Sequence, residues 1–324
     1  MELFITHESA LEYWRDNDIT PDNLAYRQRK RMAPAKPASH SVLKQTHSLG
    51  LSLPINITIS LKESRHKTSL ARIHVFSLPF PEGCFIRVSE GVYVASPELC
   101  FFQMANKLPF IKLIELGFEL CGFYPIPRNG YVKEKGANKK AFDVRRLRTS
   151  TKKLAAFLER MKGIAGQRQA LRALNYILDR SASPMETKLT LLLTLPYRLG
   201  GFGLPKPKLN DGVNPSKKVL RNASQSVFVC DLCWPEADLI VEYDSEKFHE
   251  GARRITKDSK RRNALISTGK QVISITKDEI KIINQFEDLV ELIAINLGAR
   301  LRHSECQGFL QKHMKLHHLL FHTE

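Results

Sequence analysis

Val227-Phe228-Val229-Cys230-Asp231, followed by Trp234-Pro235-Glu236 and then Asp238-Leu239-Ile240-Val241-Glu242-Tyr243-Asp244, is the stretch on which the reading of this chain turns. Apolar and β-branched residues fill both runs, and Trp-Pro-Glu reads as a turn, so two short strands with a tight connection are predicted. Each strand ends in acid, and ten residues lie between Asp231 and Glu242. Alternation along a strand puts Glu242 and Asp244 on one face. Carboxylates held this close raise one another's pKa unless a cation sits between them. Hard oxygen donors of this kind suit Mg²⁺ or Mn²⁺.

Working outward, Ser183-Pro184-Met185-Glu186 has the pattern of a helix start: hydroxyl at the cap, proline at the first position, acid at the third. A helix is predicted over 185–195, broken by Gly200-Gly201-Phe202-Gly203-Leu204-Pro205. Glu186 has two readings, a capping-box acid or a further acid aimed at the carboxylate group. A polar helix is predicted over 252–267, a strand over 271–276 and an apolar-periodic helix over 283–297. Strands and helices in this order predict an α/β domain, 183–297, with a small mixed sheet flanked by helices. A His-rich tail, 298–324, follows. Its histidines are expected to be exposed.

The N-terminal half reads as a helical start and basic linker over 1–40, then a mixed β/α module over 41–126. Thr20-Pro21-Asp22 signals a helix start, and Arg27-Gln28-Arg29-Lys30-Arg31 a basic loop. Short strands are predicted over 53–61, 71–78, 87–88 and 92–94. Helices follow from the Ser96-Pro97-Glu98 cap and over 110–121. This module contains no catalytic constellation.

The chain has 324 residues with Lys plus Arg at 50 and Asp plus Glu at 33, a formal charge of +17. A hydrophobic share of 43% excludes a mostly disordered chain, and this basic a balance points to a polyanion, nucleic acid first. The excess concentrates in 127–182, a predicted basic helical connector. Between 127 and 172 there are fourteen Lys or Arg against Glu134, Asp143 and Glu159. Lys139, Lys140, Arg145, Arg146, Arg148, Lys152 and Lys153 are the candidate phosphate contacts. A helix pair is predicted with Leu154, Phe157, Leu158 and Met161, then Leu171, Leu174, Ile177 and Leu178, on its inner face.

The ordered set Ser183-x-x-Glu186, Asp231, Glu242-x-Asp244, His249 and Asp258-x-x-Arg261-x-x-x-Leu265-x-x-x-Gly269, then a strand with Val272 and Ile275, resembles the PD-(D/E)xK nuclease superfamily. It is most similar to the Vsr-like endonuclease branch. The resemblance covers about 183–279 and implies a restriction-endonuclease-like core. It also implies a metal-dependent endonuclease with Asp231, Glu242 and Glu186 around Mg²⁺ or Mn²⁺. Asp244 and His249 would flank the scissile phosphate, with Arg261 among the nucleic-acid contacts. The glycine after Glu-x-Asp is replaced by Ser245, and Asp244 stands where the superfamily has its lysine. Lys247, Lys257 and His249 are candidates for the missing base or its charge partner. More weakly, Gly91 to Leu99 is similar to the regulatory part of AbiEi-type antitoxin-like proteins, which suggests a bacterial phage-defence setting.

These readings give a divalent-metal-dependent nuclease, with DNA favoured over RNA. The alternative is a catalytically inactive DNA-binding regulator or toxin–antitoxin component on a nuclease-like fold. A second copy of the chain or a defence-system protein is a further candidate partner. Cys230-x-x-Cys233 has zinc-ligand spacing but no second matching pair; His313/His317 and His318/His322 are each four apart and would share a helix face able to chelate zinc, against the reading of exposed tail histidines without a site. No stretch has the length and apolarity of a membrane span, and scattered cysteines without a signal sequence predict a cytoplasmic chain with reduced thiols.

Overall fold

The computed structural model describes residues 2–17, 29–30, 49–60, 69–76, 80–126, 147–213, 228–244, 265–266 and 269–322. The chain is α/β and divides into two compact units, Met1–Asp179 and Arg180–Glu324. The second unit starts within a few residues of the predicted boundary. The basic segment is not a separate connector, because its described helices pack inside the first unit.

In the first unit, β1 (Leu3–Ile5), β2 (Arg29–Lys30), β3 (Ile55–Ile59), β4 (Ala71–Val75), β5 (Phe85–Ser89) and β6 (Val92–Ala95) form one sheet in the order β2-β5-β6-β1-β3-β4. β1 runs parallel to β6 and antiparallel to β3. The predicted helical start therefore supplies a central strand, with Phe4 and Ile5 almost fully buried. Its helix, α1 (His7–Asp16), begins well before Thr20, which lies outside the described residues. Part of the basic linker, Arg29–Lys30, is an edge strand.

Helix α1 is fixed by Trp14, whose Nε1 donates to the Ala95 carbonyl at 2.8 Å. Two helices follow the sheet, α2 (Pro97–Met104), capped by Ser96, and α3 (Phe110–Leu120). Against them pack α4 (Thr151–Arg160) and α5 (Gln167–Leu174). Leu154, Phe157, Leu158 and Met161 are buried as predicted. On α5 the buried residues are Ala170 and Ala173 rather than Leu171 and Leu174, because small side chains let the helix sit close to α3. Ile177 lies past the helix end. Its Cδ1 would be 2.1 Å from a Cβ at Gly117, so any side chain there would have to displace Ile177.

In the second unit, β7 (Lys208–Val213), β8 (Phe228–Trp234), β9 (Leu239–Asp244) and β10 (Gln271–Thr276) form a sheet in the order β10-β9-β8-β7. β7, β8 and β9 are successively antiparallel, and β10 is parallel to β9. The preceding helix α6 (Pro184–Thr194) buries Leu189, Leu191, Leu192 and Leu193 completely. Each such leucine contributes roughly 1.5–3 kcal/mol of burial energy. After the sheet come α7 (Lys277–Lys281), α8 (Ile283–Asn296) and α9 (Phe309–Phe321).

The tail is not an exposed histidine tract. His313 is fully buried among Phe202, Phe286 and Phe309, and its Nδ1 is 2.8 Å from the Gly200 carbonyl. His317 is buried too, with Nε2 3.1 Å from the Ile280 carbonyl. Both histidines fasten α9 to its own unit. No described helix is long and apolar enough to cross a membrane.

Candidate active site

Asp231 does not end its strand. It lies in the middle of β8, which continues to Trp234, because Trp234 is buried and its Nε1 donates to the Pro205 carbonyl at 2.8 Å. The β8–β9 ladder runs Trp234↔Leu239, Cys233↔Ile240, Leu232↔Val241 and goes no further, although both strands continue. At the next step the Asp231 carboxylate takes the place of a ladder carbonyl: its Oδ2 accepts the Tyr243 main-chain N–H at 2.9 Å. The two strands fork here, β8 remaining with β7 and β9 with β10. Glu242 is the first residue of β9 beyond the last β8 pair, half-buried and opposite Ser274 of β10. Asp244 closes β9 and is exposed.

Glu186 comes from the first turn of α6. Ser183 caps the helix, its Oγ accepting the Glu186 N–H at 3.1 Å, as the sequence pattern requires. The Glu186 carboxyl does not close the capping box, because it takes the N–H of Ala182 and not that of the Ser183 cap. Its Oε2 accepts the Ala182 N–H at 2.8 Å and the Asn210 Nδ2–H at 2.7 Å. Asn210, on β7, also donates to the Arg180 carbonyl. Its φ of +46° lies in the left-handed region, which asparagine tolerates better than most residues. In the β7–β8 register Asn210 falls between Leu209↔Leu232 and Asp211↔Cys230, and hence opposite Asp231.

The electrostatics follow from this placement. Glu186 is 6% exposed, and burial together with the Asp231 carboxylate pushes its pKa up to about 7. The hydrogen bonds from Ala182, Asn210 and Ser183 act in the opposite direction and do not cancel the rise. Two acids meet in one partly dry place. The donor chemistry suits a hard divalent cation, which would relieve the repulsion. Among the described residues, however, no group of three or more His, Cys, Asp or Glu side chains is placed to hold a metal ion.

The structure thus brings Glu186 and Asp231 together and sets Glu242 one residue beyond the fork. His249, Arg261, Lys139, Lys140, Arg145 and Arg146 lie outside the described residues, as do Lys247 and Lys257. Lys152 and Lys153 are exposed in the first turn of α4. Arg148 is not presented to solvent: it is 4% exposed and donates to the Asn17 carbonyl at 2.6 Å, which makes it a structural clamp of the first unit. Asn210 went unread in the sequence because Asn210-Asp211-Gly212 looks like a turn. The zinc alternative at Cys230 and Cys233 loses ground. Both are buried in an apolar cluster with Phe228, Ile240 and Leu265, and burial pushes the Cys233 thiol up, away from the thiolate a metal needs.

Compared with protein-family models, with curated proteins and with solved structures, the chain matches none.

Proposed function

We propose that the Arg180–Glu324 unit is a divalent-metal-dependent nuclease that hydrolyses phosphodiester bonds of nucleic acid, DNA in preference to RNA. The observation that carries this reading is the Glu186–Asp231 pair. A buried carboxyl hydrogen-bonded by Asn210 and set beside a second carboxylate is unfavourable for folding and favourable for a cation. The acid-bearing helix ahead of the first acidic strand, and the small mixed sheet with helices before and after it, are what the PD-(D/E)xK resemblance leads one to expect. In this reading Asp231 and Glu186 hold Mg²⁺ or Mn²⁺, with Glu242 the nearest further acid along the fork. Asp244 and His249 serve the phosphate side. A bound divalent cation supplies charge to phosphate oxygens and lowers the pKa of ligated water. Lys152 and Lys153 add sequence-independent affinity for the polyanion.

A second reading, a DNA-binding regulator or toxin–antitoxin component without activity, is favoured by the missing third ligand among the described residues and by Asp244 at the lysine position. One comparison separates the two. Plasmid, single-stranded DNA and RNA are each incubated with wild type, Asp231→Asn and Glu186→Gln, in Mg²⁺, Mn²⁺ or EDTA, beside thermal melts of the same samples. The nuclease reading expects cleavage by wild type that EDTA and either substitution abolish. It also expects Mn²⁺ to stabilise wild type by about 2.7 kcal/mol at a hundredfold excess over Kd, and neither variant to that extent. Cleavage that survives Asp231→Asn, or an equal metal response in all three proteins, overturns it.

A further inference from the structure

We propose that the hairpin of α4 and α5 in the first unit is a docking surface for the phosphate backbone of duplex nucleic acid. This rests on nucleic acid being the partner, as in the reading above, and not on hydrolysis.

The hairpin has two different sides. Its inner side, Leu154, Phe157, Leu158, Met161, Ala170 and Ala173, is buried within the first unit. Its outer side exposes Lys152, Lys153, Lys162, Arg168 and Arg172, with Glu159 the one exposed acid in the hairpin. A merely solvated helix face carries both signs interspersed, and this one does not. Arg168 and Arg172 are four apart and share a face of α5. The Arg172 guanidinium lies 4.9 Å over the Phe110 ring, which holds it in place. A further exposed arginine, Arg160, donates to the Glu82 carbonyl at 2.6 Å and is left out of the surface.

The frame that carries these cations is rigid. Gln167 bridges the turn, its Oε1 accepting the Gly163 N–H and its Nε2 donating to the Leu158 carbonyl. Asn106 on the neighbouring turn donates to the Ala165 carbonyl at 2.9 Å. The tip is bare: a Cβ at Gly163 would meet nothing within 4 Å, so a bulky backbone can come close between Lys162 and Arg168. At 1.5 Å per residue the ten residues of α4 span roughly 15 Å, which is the axial rise of about four phosphates on one strand.

The exposed residues also say which form of nucleic acid fits. From 151 to 175 they are Lys, Arg, Ala, Gly, Glu and Asn. Surfaces for unpaired strands stack bases on open aromatic rings; the rings nearest this face, Phe110 and Tyr176, are half-buried edge-to-face against each other, with the Arg172 guanidinium over Phe110. The face recognises charge spacing rather than bases, so a duplex is the occupant.

The test uses the full chain in EDTA, so that cleavage plays no part. Fluorescence anisotropy follows binding to a labelled duplex, to one of its strands, and to phosphatidylserine vesicles, across a salt series. The variants are Lys162→Glu with Arg168→Glu, and Lys152→Glu with Lys153→Glu; thermal melts check that both fold. Each phosphate contact carries about −0.9 of log–log salt slope. Each double variant is therefore expected to make the slope shallower by roughly 2 and to weaken all duplex sequences alike. Wild type is expected to prefer the duplex over the single strand. Cleavage is followed separately in Mn²⁺, so hairpin-dependent binding in EDTA with no cleavage in Mn²⁺ would count against hydrolysis and leave the docking surface standing. The proposal is overturned if both double variants keep the wild-type slope and affinity, if wild type prefers the single strand, or if the substitutions weaken only vesicle binding.

Discussion

Glu119 in the first unit and Glu186 in the second are both buried glutamates near a helix end, and they are treated in opposite ways. Glu119 faces Arg15, with both oxygens 2.7 Å from the guanidinium, and also accepts the Ile126 N–H. Its charge is matched. Glu186 is given neutral donors and, as its charged neighbour, the like charge of Asp231. Folding alone explains the first arrangement, because a buried ion needs a partner. It does not explain the second, where burial and the Asp231 carboxylate push the Glu186 pKa up to about 7. Buried charge that is matched marks scaffold, and buried charge that is left in conflict is the feature on which the proposed site rests.

The largest expected effect breaks the matched side. Glu119→Ala leaves the Arg15 guanidinium, 24% exposed, without its carboxylate. Removing one partner of a buried pair costs about 3–5 kcal/mol. Denaturant unfolding monitored by the tryptophans would show it, and a loss below 1 kcal/mol would mean that the pair is not matched as described.

The next effect sharpens the conflicted side. Glu186 binds its proton in the folded state up to pH about 7, against an ordinary value of 4.5. Between those values the folded protein holds more protons than the unfolded one. Stability is therefore full below pH 4.5 and declines as pH rises to about 7. The whole decline is on the order of 3 kcal/mol and belongs to the Glu186–Asp231 pair jointly. Glu186→Gln keeps an acceptor for Ala182 and Asn210 and should flatten this limb. A variant whose profile still falls as steeply would assign the slope to other groups.

The smallest effect has the opposite sign within the same unit. Burial, aided by neighbouring His303, holds the His313 imidazole below its ordinary 6.5. The unfolded chain takes up that proton near pH 6.5 and the folded chain does not, so His313 stabilises above 6.5 and loses its contribution as pH falls. His317 is lowered for the same first reason, burial. His313→Phe keeps an aromatic ring among Phe202, Phe286 and Phe309 but strips the Gly200 carbonyl of its donor, costing about 1 kcal/mol at alkaline pH. It should also make the acid limb shallower, and an unchanged acid limb would remove His313 from that role.

Much of this frame was legible in the sequence where local chemistry and tertiary packing agree. The 271–276 strand, the helix over 110–121, the Ser96 and Ser183 caps and the inner face of α4 all follow from periodicity and capping. The failures have a common cause. β7 carries Asn210-Asp211-Gly212, a turn by propensity, yet pairing with β8 draws it into the sheet. Trp234-Pro235-Glu236 hid the true length of β8, so Asp231 looked terminal when it sits at a fork. His313 and His317 read as polar tail residues because nothing local announces that Gly200 and Ile280, far along the chain, supply carbonyl acceptors. The acids of the site could be nominated from spacing, and the asparagine that holds Glu186 in place could not.

The fork at Asp231 has a consequence for measurement. Because the Tyr243 amide hydrogen is held by a side-chain carboxylate and not by a ladder carbonyl, its exchange with solvent depends on what else that carboxylate is doing. Ligation or protonation of Asp231 would loosen it, while the amides of the paired core of the sheet, at Leu232 and Val241, stay slow. One backbone position therefore reports what the Asp231 carboxylate is bound to.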